Sequence, residues 1–426
     1  MPSLELQRAT RTRYWVIVFA VTLAIIQYVD RVCISKAMPS IQRELGFSNV
    51  QVGYVFGAFT LAYALFEIPS GWLGDRFGPK KVLMRVVLWW SFFTAATAWT
   101  GSALTMIAVR FLFGAGEAGC FPNITKVFTT WLPKDERVRA QSVLWLAARW
   151  GGALTPLLVV AVLGIVTSWR RAFEIFGALG VVWAFFFYRW FRDNPHEHPG
   201  VNDAERRLLT GVENLASTHA SVPWRVFFTS PSAWLLWIQY ACLSYVWYFY
   251  VTWYPTYLDA TYGRTLGPVK LALLAGLPLF GGGFGSLIAG FCAAPLARRV
   301  GGVGRARRLL AVFGFVAASG MLLASMYAVN PFVLALFIAL AGMCNDFVLP
   351  CAWGACMDVG GRFAGTFSGS MNMMGNLGGF LAPIAIGYVL DRTGSWNLTF
   401  YISSAVYLAG AGCWMLLDAE TPLDHA

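Results

Sequence analysis

Residues 14 to 37 read Tyr14-Trp-Val-Ile-Val-Phe-Ala-Val-Thr-Leu-Ala-Ile-Ile-Gln-Tyr-Val-Asp-Arg-Val-Cys-Ile-Ser-Lys-Ala37. As a helix this run is long enough to cross a bilayer, since roughly 20 residues suffice for a ~30 Å hydrocarbon core. Asp30 and Arg31 lie well inside it, and ionisable groups at that depth face a bundle interior or a watery cavity. The pair marks either a path for an ion or polar solute, or a structural pin between two helices. Arg31 shares a helical face with Tyr28 and Ser35, while Asp30, about 100° around the helix, turns toward Gln27. Arg31 is therefore assigned to a cavity and Asp30 to a neighbour on another helix, with Arg110 as the candidate partner.

The rest of the chain reads the same way. Of its 426 residues 58% are hydrophobic and 12% charged, with mean hydropathy +0.59, whereas soluble domains carry about 25% charged residues. A soluble globule is excluded. The first run is too long for the apolar region of a cleavable signal and is followed by many others. A net charge of +11 would suit nucleic acid, but the basic residues gather in alternate connections, as in the positive-inside pattern. The expected partner is the lipid bilayer, not nucleic acid. The eight cysteines fall in or at the ends of apolar runs and read as small buried hydrophobes, without metal spacing or a disulfide framework. No Ser-His-Asp set, metal-ligand spacing or long outer loop supports an enzyme.

Runs of spanning length recur at about 14–37, 52–74, 82–100, 103–128, 139–166, 170–191, 231–258, 268–294, 307–328, 331–355, 362–390 and 397–417. Arg8, Arg11 and Arg13 precede the first, and positive charge returns at Arg76, Lys80 and Lys81, at Lys134 and Arg137, at Arg189 and Arg192, and at Arg298 to Arg308. These are every second connection, so both termini are expected in the cytoplasm; Arg170 and Arg171 are a local exception. The one long polar segment divides the runs six and six. The predicted organisation is an all-α membrane protein with an N-terminal six-helix bundle over 1–191, a cytoplasmic linker over 192–230, and a C-terminal six-helix bundle over 231–426. Within the linker, Asp203 to Leu209 reads as a short amphipathic helix. His196 and His198, flanking Glu197, read as surface residues rather than metal ligands. Two helical bundles joined in this way suit a secondary transporter with its site between the halves near mid-membrane.

Between the second and third runs stands Gly71-Trp-Leu-Gly-Asp-Arg-Phe-Gly-Pro-Lys-Lys81. Gly71 and Gly78 permit close approach and a tight turn. Asp75, at a helix end, can receive the positive end of another helix, in a contact that breaks when the cytoplasmic side opens. The stretch resembles the signature of the major facilitator superfamily at Gly71, Leu73, Asp75, Arg76, Gly78 and Lys80. The resemblance implies the twelve-helix major facilitator fold, with Asp75 and Arg76 as gate residues. The matching place in the second half, Gly290 to Arg299, has Ala294 where an acid would stand, which puts a symmetric second latch in doubt.

The fourth run contains Arg110-Phe-Leu-Phe-Gly-Ala-Gly-Glu117-Ala-Gly-Cys-Phe-Pro122. Arg110 and Glu117 lie on one face, about 10 Å apart along the axis. Arg110 and Arg31, at matching depth, form a fork suited to a carboxylate; Glu117 sits deeper, where low dielectric favours a carboxyl that carries protons. Gly114, Gly116 and Gly119 allow close helix packing. Tyr28-Val-Asp30-Arg31, Tyr63, Arg110 with Glu117, Trp253 to Leu258, Pro350 to Trp353 and Met371 to Asn376 resemble the anion:cation symporter branch of that superfamily, whose bacterial members include proton-coupled sugar-acid transporters. The resemblance implies proton coupling at Asp30 and Glu117, anion binding at Arg31 and Arg110, and hydroxyl contacts from Tyr28, Tyr63 and Asn372. Arg149 stands where sugar-acid members carry glutamine; it binds a second carboxylate or pairs with a nearby acid, Glu67 or Asp346. On the second-half wall Tyr245 and Tyr248 are candidate lining residues, with Asn376 one turn from Asn372 and Trp353 either stacking on substrate or packing.

The expected function is a monomeric, proton-coupled symporter in a bacterial inner membrane, importing an organic carboxylate, foremost an aldonate, uronate or aldarate. No cofactor is expected beyond the proton gradient as driving force. The competing readings are an exporter or antiporter of the same fold and a transporter of an aromatic or dicarboxylic acid.

Overall fold

The computed structural model describes residues 8–47, 49–166, 168–209, 222 and 224–423. Its α-helices, in chain order, are α1 (Trp15–Leu45), α2 (Asn49–Phe77), α3 (Pro79–Thr97), α4 (Ala103–Glu117), α5 (Cys120–Trp131), α6 (Lys134–Val166), α7 (Trp169–Trp190), α8 (Asp203–Leu209), α9 (Trp224–Thr229), α10 (Pro231–Thr252), α11 (Tyr254–Tyr262), α12 (Pro268–Val300), α13 (Val303–Ser325), α14 (Pro331–Gly360), α15 (Ala364–Thr393) and α16 (Trp396–Leu416). The short α8 and α9 belong to the linker. Counting α4–α5 and α10–α11 as broken single segments, the others make twelve helical segments of crossing length among the described residues. Seven stretches pass as spans on hydropathy alone, including Pro331–Thr393, which is long enough for two crossings. The others carry polar groups inside, such as buried Glu67 in α2.

Both breaks have a proline as cause. Pro122 and Pro255 bring no N–H to the carbonyls of Ala118 and Val251, four residues back, and the helices break between Glu117 and Cys120 and between Thr252 and Tyr254. The 103–128 run is thus two helices rather than one. Other helix ends follow their capping residues. Ser102 and Thr105 form a reciprocal capping box at the start of α4. Gly78, at φ 84°, turns the chain before Pro79 opens α3, and the Lys80 N–H there donates to Asp193 Oδ1 at 2.8 Å.

The chain divides into two compact units. One comprises Met1–Arg137, Trp150–Val222 and Gly360–Gly369; the other comprises Val138–Arg149, Pro223–Val359 and Ser370–Ala426. In the first unit, Val29, Cys33, Ile34, Met38, Met106, Phe173 and Phe176 build a core where α1, α4 and α7 meet. Close helix approach is paid for in side-chain volume: a Cβ on Gly114 would lie 2.5 Å from the Phe59 carbonyl oxygen, and one on Gly177 2.6 Å from that of Ser91. The segment before α1 is tied to the linker. Buried Glu205 of α8 accepts from the Arg13 and Thr12 N–H groups, from Thr10 Oγ1 at 2.6 Å and from Arg13 Nη1 at 3.1 Å. The expected linker helix is present as α8. His198 is not a surface residue: it is buried against Trp131 and Trp190, because the linker folds back on α5 and α7 and not into solvent.

In the second unit, a fully buried ion pair joins Arg307 of α13 to Asp358 of α14 at 2.6 Å. Trp414 donates to Gln239 Oε1 at 3.0 Å, linking α16 to α10. Among the described residues no group of histidines, cysteines and acids has metal-holding geometry.

Candidate functional site

The charged residues of α1 and α4 meet in the interior of the first unit. Arg31 Nη2 stands 2.6 Å from Glu117 Oε1, and its Nε donates to the same oxygen at 2.8 Å. Gln27, one turn back on α1, donates to Oε1 at 2.9 Å. Among the described residues Glu117 Oε2 has no hydrogen-bond partner, nor has either carboxylate oxygen of Asp30, although both residues are wholly buried. The expected pairing of Asp30 with Arg110 is not a hydrogen-bonded one among the described residues.

Aromatic rings hold the guanidinium groups in place. Arg31 lies over Tyr63 at 4.6 Å and Tyr28 at 5.3 Å from the ring centres, and Arg110 lies over Phe113 at 4.2 Å. Both arginines stand 5.2 Å from the ring of Phe59, so one residue of α2, unremarked in sequence, sets the two cations beside each other. Arg110 is buried with Nε and Nη1 unpaired, whereas the Arg31 side chain keeps 23% exposure. Such charges at membrane depth are costly without counter-charge or ligand. Among the described residues the cluster therefore holds one arginine latched to an acid, a second arginine without a hydrogen-bonded anion, and a buried carboxylate outside that latch.

A second constellation forms at the end of α2. Asp75 Oδ1 accepts from the Gly365 N–H at 3.0 Å, and Oδ2 accepts from the Thr366 N–H and hydroxyl, each at 2.6 Å. These N–H groups belong to the first turn of α15, which lacks intrahelical acceptors, so Asp75 caps that helix as its residue type predicts. Buried Lys126 of α5 stands 3.1 Å from Asp75 Oδ1 and also donates to the Arg362 carbonyl. Gly71 makes the approach possible: a Cβ there would lie 2.2 Å from the Gly365 carbonyl oxygen. Arg76 takes no part in this cap. It is exposed and lies over Trp72 and Phe77 of its own helix at 5.2 and 5.4 Å. Lys126 is the cation that sequence reading missed; the only sign was a lysine inside an otherwise apolar run.

In the second unit, Arg149 of α6 pairs with Asp346 of α14, through Nε–Oδ2 at 2.7 Å and Nη2–Oδ1 at 3.1 Å. Trp353 is 1% exposed and packed, its indole N–H donating to Tyr240 at 3.0 Å and its ring 5.6 Å from Trp145. Tyr245 and Tyr248 are half-buried on α10, with Tyr248 against Gly379 of α15. Asn372 and Asn376, also half-buried, are linked by a bond from Asn376 Nδ2 to the Asn372 carbonyl at 3.2 Å.

Comparison with known proteins accords with this architecture. The model of the Major Facilitator Superfamily matches residues 20–383. The chain is 34% identical over 425 residues to the probable sulfoacetate transporter SauU of Cupriavidus necator, covering 98% of this chain and 97% of that one. It is 30% identical over 415 residues to the probable galactarate/D-glucarate transporter GudP of Escherichia coli, covering 92% and 90%. Among solved structures, the proton:xylose symporter XylE superposes with a TM-score of 0.75 over 96% of this chain and 97% of that one; at 11% identity this likeness is one of fold.

Proposed function

The chain belongs to the Major Facilitator Superfamily and is a multi-pass membrane transporter rather than an enzyme, and from that premise we propose that it imports an organic carboxylate, a sugar acid foremost, together with protons. The observation that carries the reading is the Arg31–Glu117 ion pair with Asp30 unpaired beside it. A carboxylate substrate and Glu117 compete for one guanidinium. Protonation of Glu117 releases Arg31 to the substrate, and Arg110, already without a hydrogen-bonded anion, supplies the second prong. Asp30, buried beside that latch and outside it, is the site of the other proton. Loss of both protons on the far side restores the Glu117 latch and expels the anion.

Asp75 is the gate of this cycle, its cap on α15 held in one state and released in the other, with Lys126 as the cation. Residues 1–191 and 231–426 act as the two bundles and 192–230 as their linker, in a bacterial inner membrane with both termini cytoplasmic. Tyr28 and Tyr63, besides stacking on Arg31, present hydroxyls to the substrate. The substrates for which these relatives are named, sulfoacetate and galactarate or glucarate, support an anionic cargo.

The test is uptake into proteoliposomes under an imposed pH gradient, with aldonates, uronates, aldarates and sulfoacetate offered in turn. Asp30→Asn and Glu117→Gln are expected to abolish accumulation while counterflow exchange persists. Concentrative uptake by both variants would refute the proton assignment.

A further inference from the structure

We propose that Phe59 is a positioning residue for anion binding: its ring, shared by Arg31 and Arg110, holds both guanidinium groups by their faces and leaves their N–H edges to an oxyanion. The inference rests on the anion-transport reading above and deepens it, adding a residue that acts on the substrate only through the two arginines.

The geometry lies wholly within the first unit. On α2, Phe59 stands one helical turn before Tyr63, and on α4 Phe113 stands about one turn after Arg110. Phe59 packs against both of these rings, with centres 5.7 Å from Tyr63 and 5.6 Å from Phe113 and planes tilted by 44° and 39°. Each outer ring carries one arginine, Tyr63 with Arg31 and Phe113 with Arg110, while the ring of Phe59 serves both at equal distance. Gly114, next to Phe113, seats it there: a Cβ on that glycine would lie 3.1 Å from Cδ2 of the Phe59 ring as well as 2.5 Å from its carbonyl oxygen. Phe59 is half-buried, so the shared ring is not sealed in the core.

Two like charges at membrane depth need compensation. Arg31 has it in Glu117. Buried Arg110 has no hydrogen-bond partner at Nε or Nη1 among the described residues, and aromatic rings lie against it. The difference is chemical. An acid would take the N–H edge of the guanidinium, which is the edge a substrate carboxylate or sulfonate also needs. A ring attracts the cation through its π face and leaves that edge open. Because one ring does this for two arginines, it sets the spacing of both prongs, and Arg31 keeps its place when the bond to Glu117 is given up. Leucine would fill the same space without a quadrupole to hold the cations.

The experiment uses the full chain, purified in detergent, with Phe59 replaced in turn by mono-, di- and trifluorophenylalanine, which keep the ring's shape while withdrawing its π density. Galactarate, galactonate and sulfoacetate are the probes, and affinity is read by calorimetry at one pH. Affinity is expected to fall with each added fluorine. Phe59→Leu is expected to bind about tenfold or more weakly, the loss of two desolvated cation–ring contacts, while Phe59→Tyr, which keeps the ring, stays within about threefold of the native protein. Affinity that stays level across the fluorinated series, whatever happens to the unfolding temperature, marks a packing residue and overturns the proposal. Affinity that rises with fluorination also overturns it, because an electron-poor ring favours an anion in direct contact. Phe59→Leu that binds as tightly as the native protein overturns the positioning role only; native protein that binds none of the probes overturns the anion reading beneath it.

Discussion

Lys126 and Arg76 show how little a basic residue's place in a motif says about its work. Arg76 lies within the recognisable stretch and rests on the rings of its own helix, while Lys126, outside it, reaches Asp75. Lys126→Met is therefore expected to destabilise the protein by about 1.5–3 kcal/mol, the range for a buried charge-assisted bond. Arg76→Met should fall within about 0.5 kcal/mol of the native chain, as exposed positions do. Thermal unfolding in detergent compares them. The acid-arginine cluster was half legible. Asp30, Arg31, Arg110 and Glu117 announce themselves because ionisable groups inside apolar runs are rare. Which acid takes which arginine was not, since helical periodicity gives a side chain's direction but not the rotation of the neighbouring helix. Phe59, shared by both arginines, was invisible for the ordinary reason that a phenylalanine in a span needs no explanation.

At the scale of the element, capping and burial set the expectations. Thr366→Val removes one of the three donors that Asp75 receives from the first turn of α15. The expected loss is about 1 kcal/mol, typical of a cap bond, read as a lower unfolding temperature. The linker carries a pH dependence. Burial against Trp131 and Trp190 pushes the His198 imidazole below its usual value, with Arg192 adding to the effect. Its Nδ1 also accepts the Gly200 N–H at 3.1 Å, which the protonated ring cannot do. A base depressed by folding contributes full stability above its unfolded value, about 6.5, and that contribution is lost as pH falls through the lower folded value. His198→Phe should flatten this slope, checked by unfolding at about pH 7.5 and about pH 5. The crossing segments were legible, but the α4–α5 break, the short α9 and the helix ends were not. α1 runs on to Leu45 and α14 to Gly360, past the apolar runs that marked them. Hydropathy reports where the lipid ends, whereas a helix ends where its carbonyls find other donors.

For the molecule as a whole, the twelve-segment plan followed from composition and spacing alone, because the bilayer allows few other ways to satisfy backbone polar groups. The second unit's polar interior was far less legible. Arg307 was read as one more cytoplasmic charge, yet it is 0% exposed and bound to Asp358. Asp358→Asn should cost about 3–5 kcal/mol by leaving a cation buried without its partner, while a size-matched apolar replacement of both residues should be close to neutral; unfolding midpoints of the two variants test the contrast. Topology offers a separate check. With an even number of crossings, epitopes at either end of the chain should be digested together in inverted vesicles and protected together in right-side-out ones.

Gly71 and Gly365 face each other backbone to backbone, each barred from carrying even a methyl group by the other's carbonyl oxygen. An alanine at either place acts as a wedge whose only chemical property is bulk. Such a variant would shift the resting balance of the transporter away from the capped form with every acid and arginine left intact, which separates the mechanical part of the cycle from its electrical part.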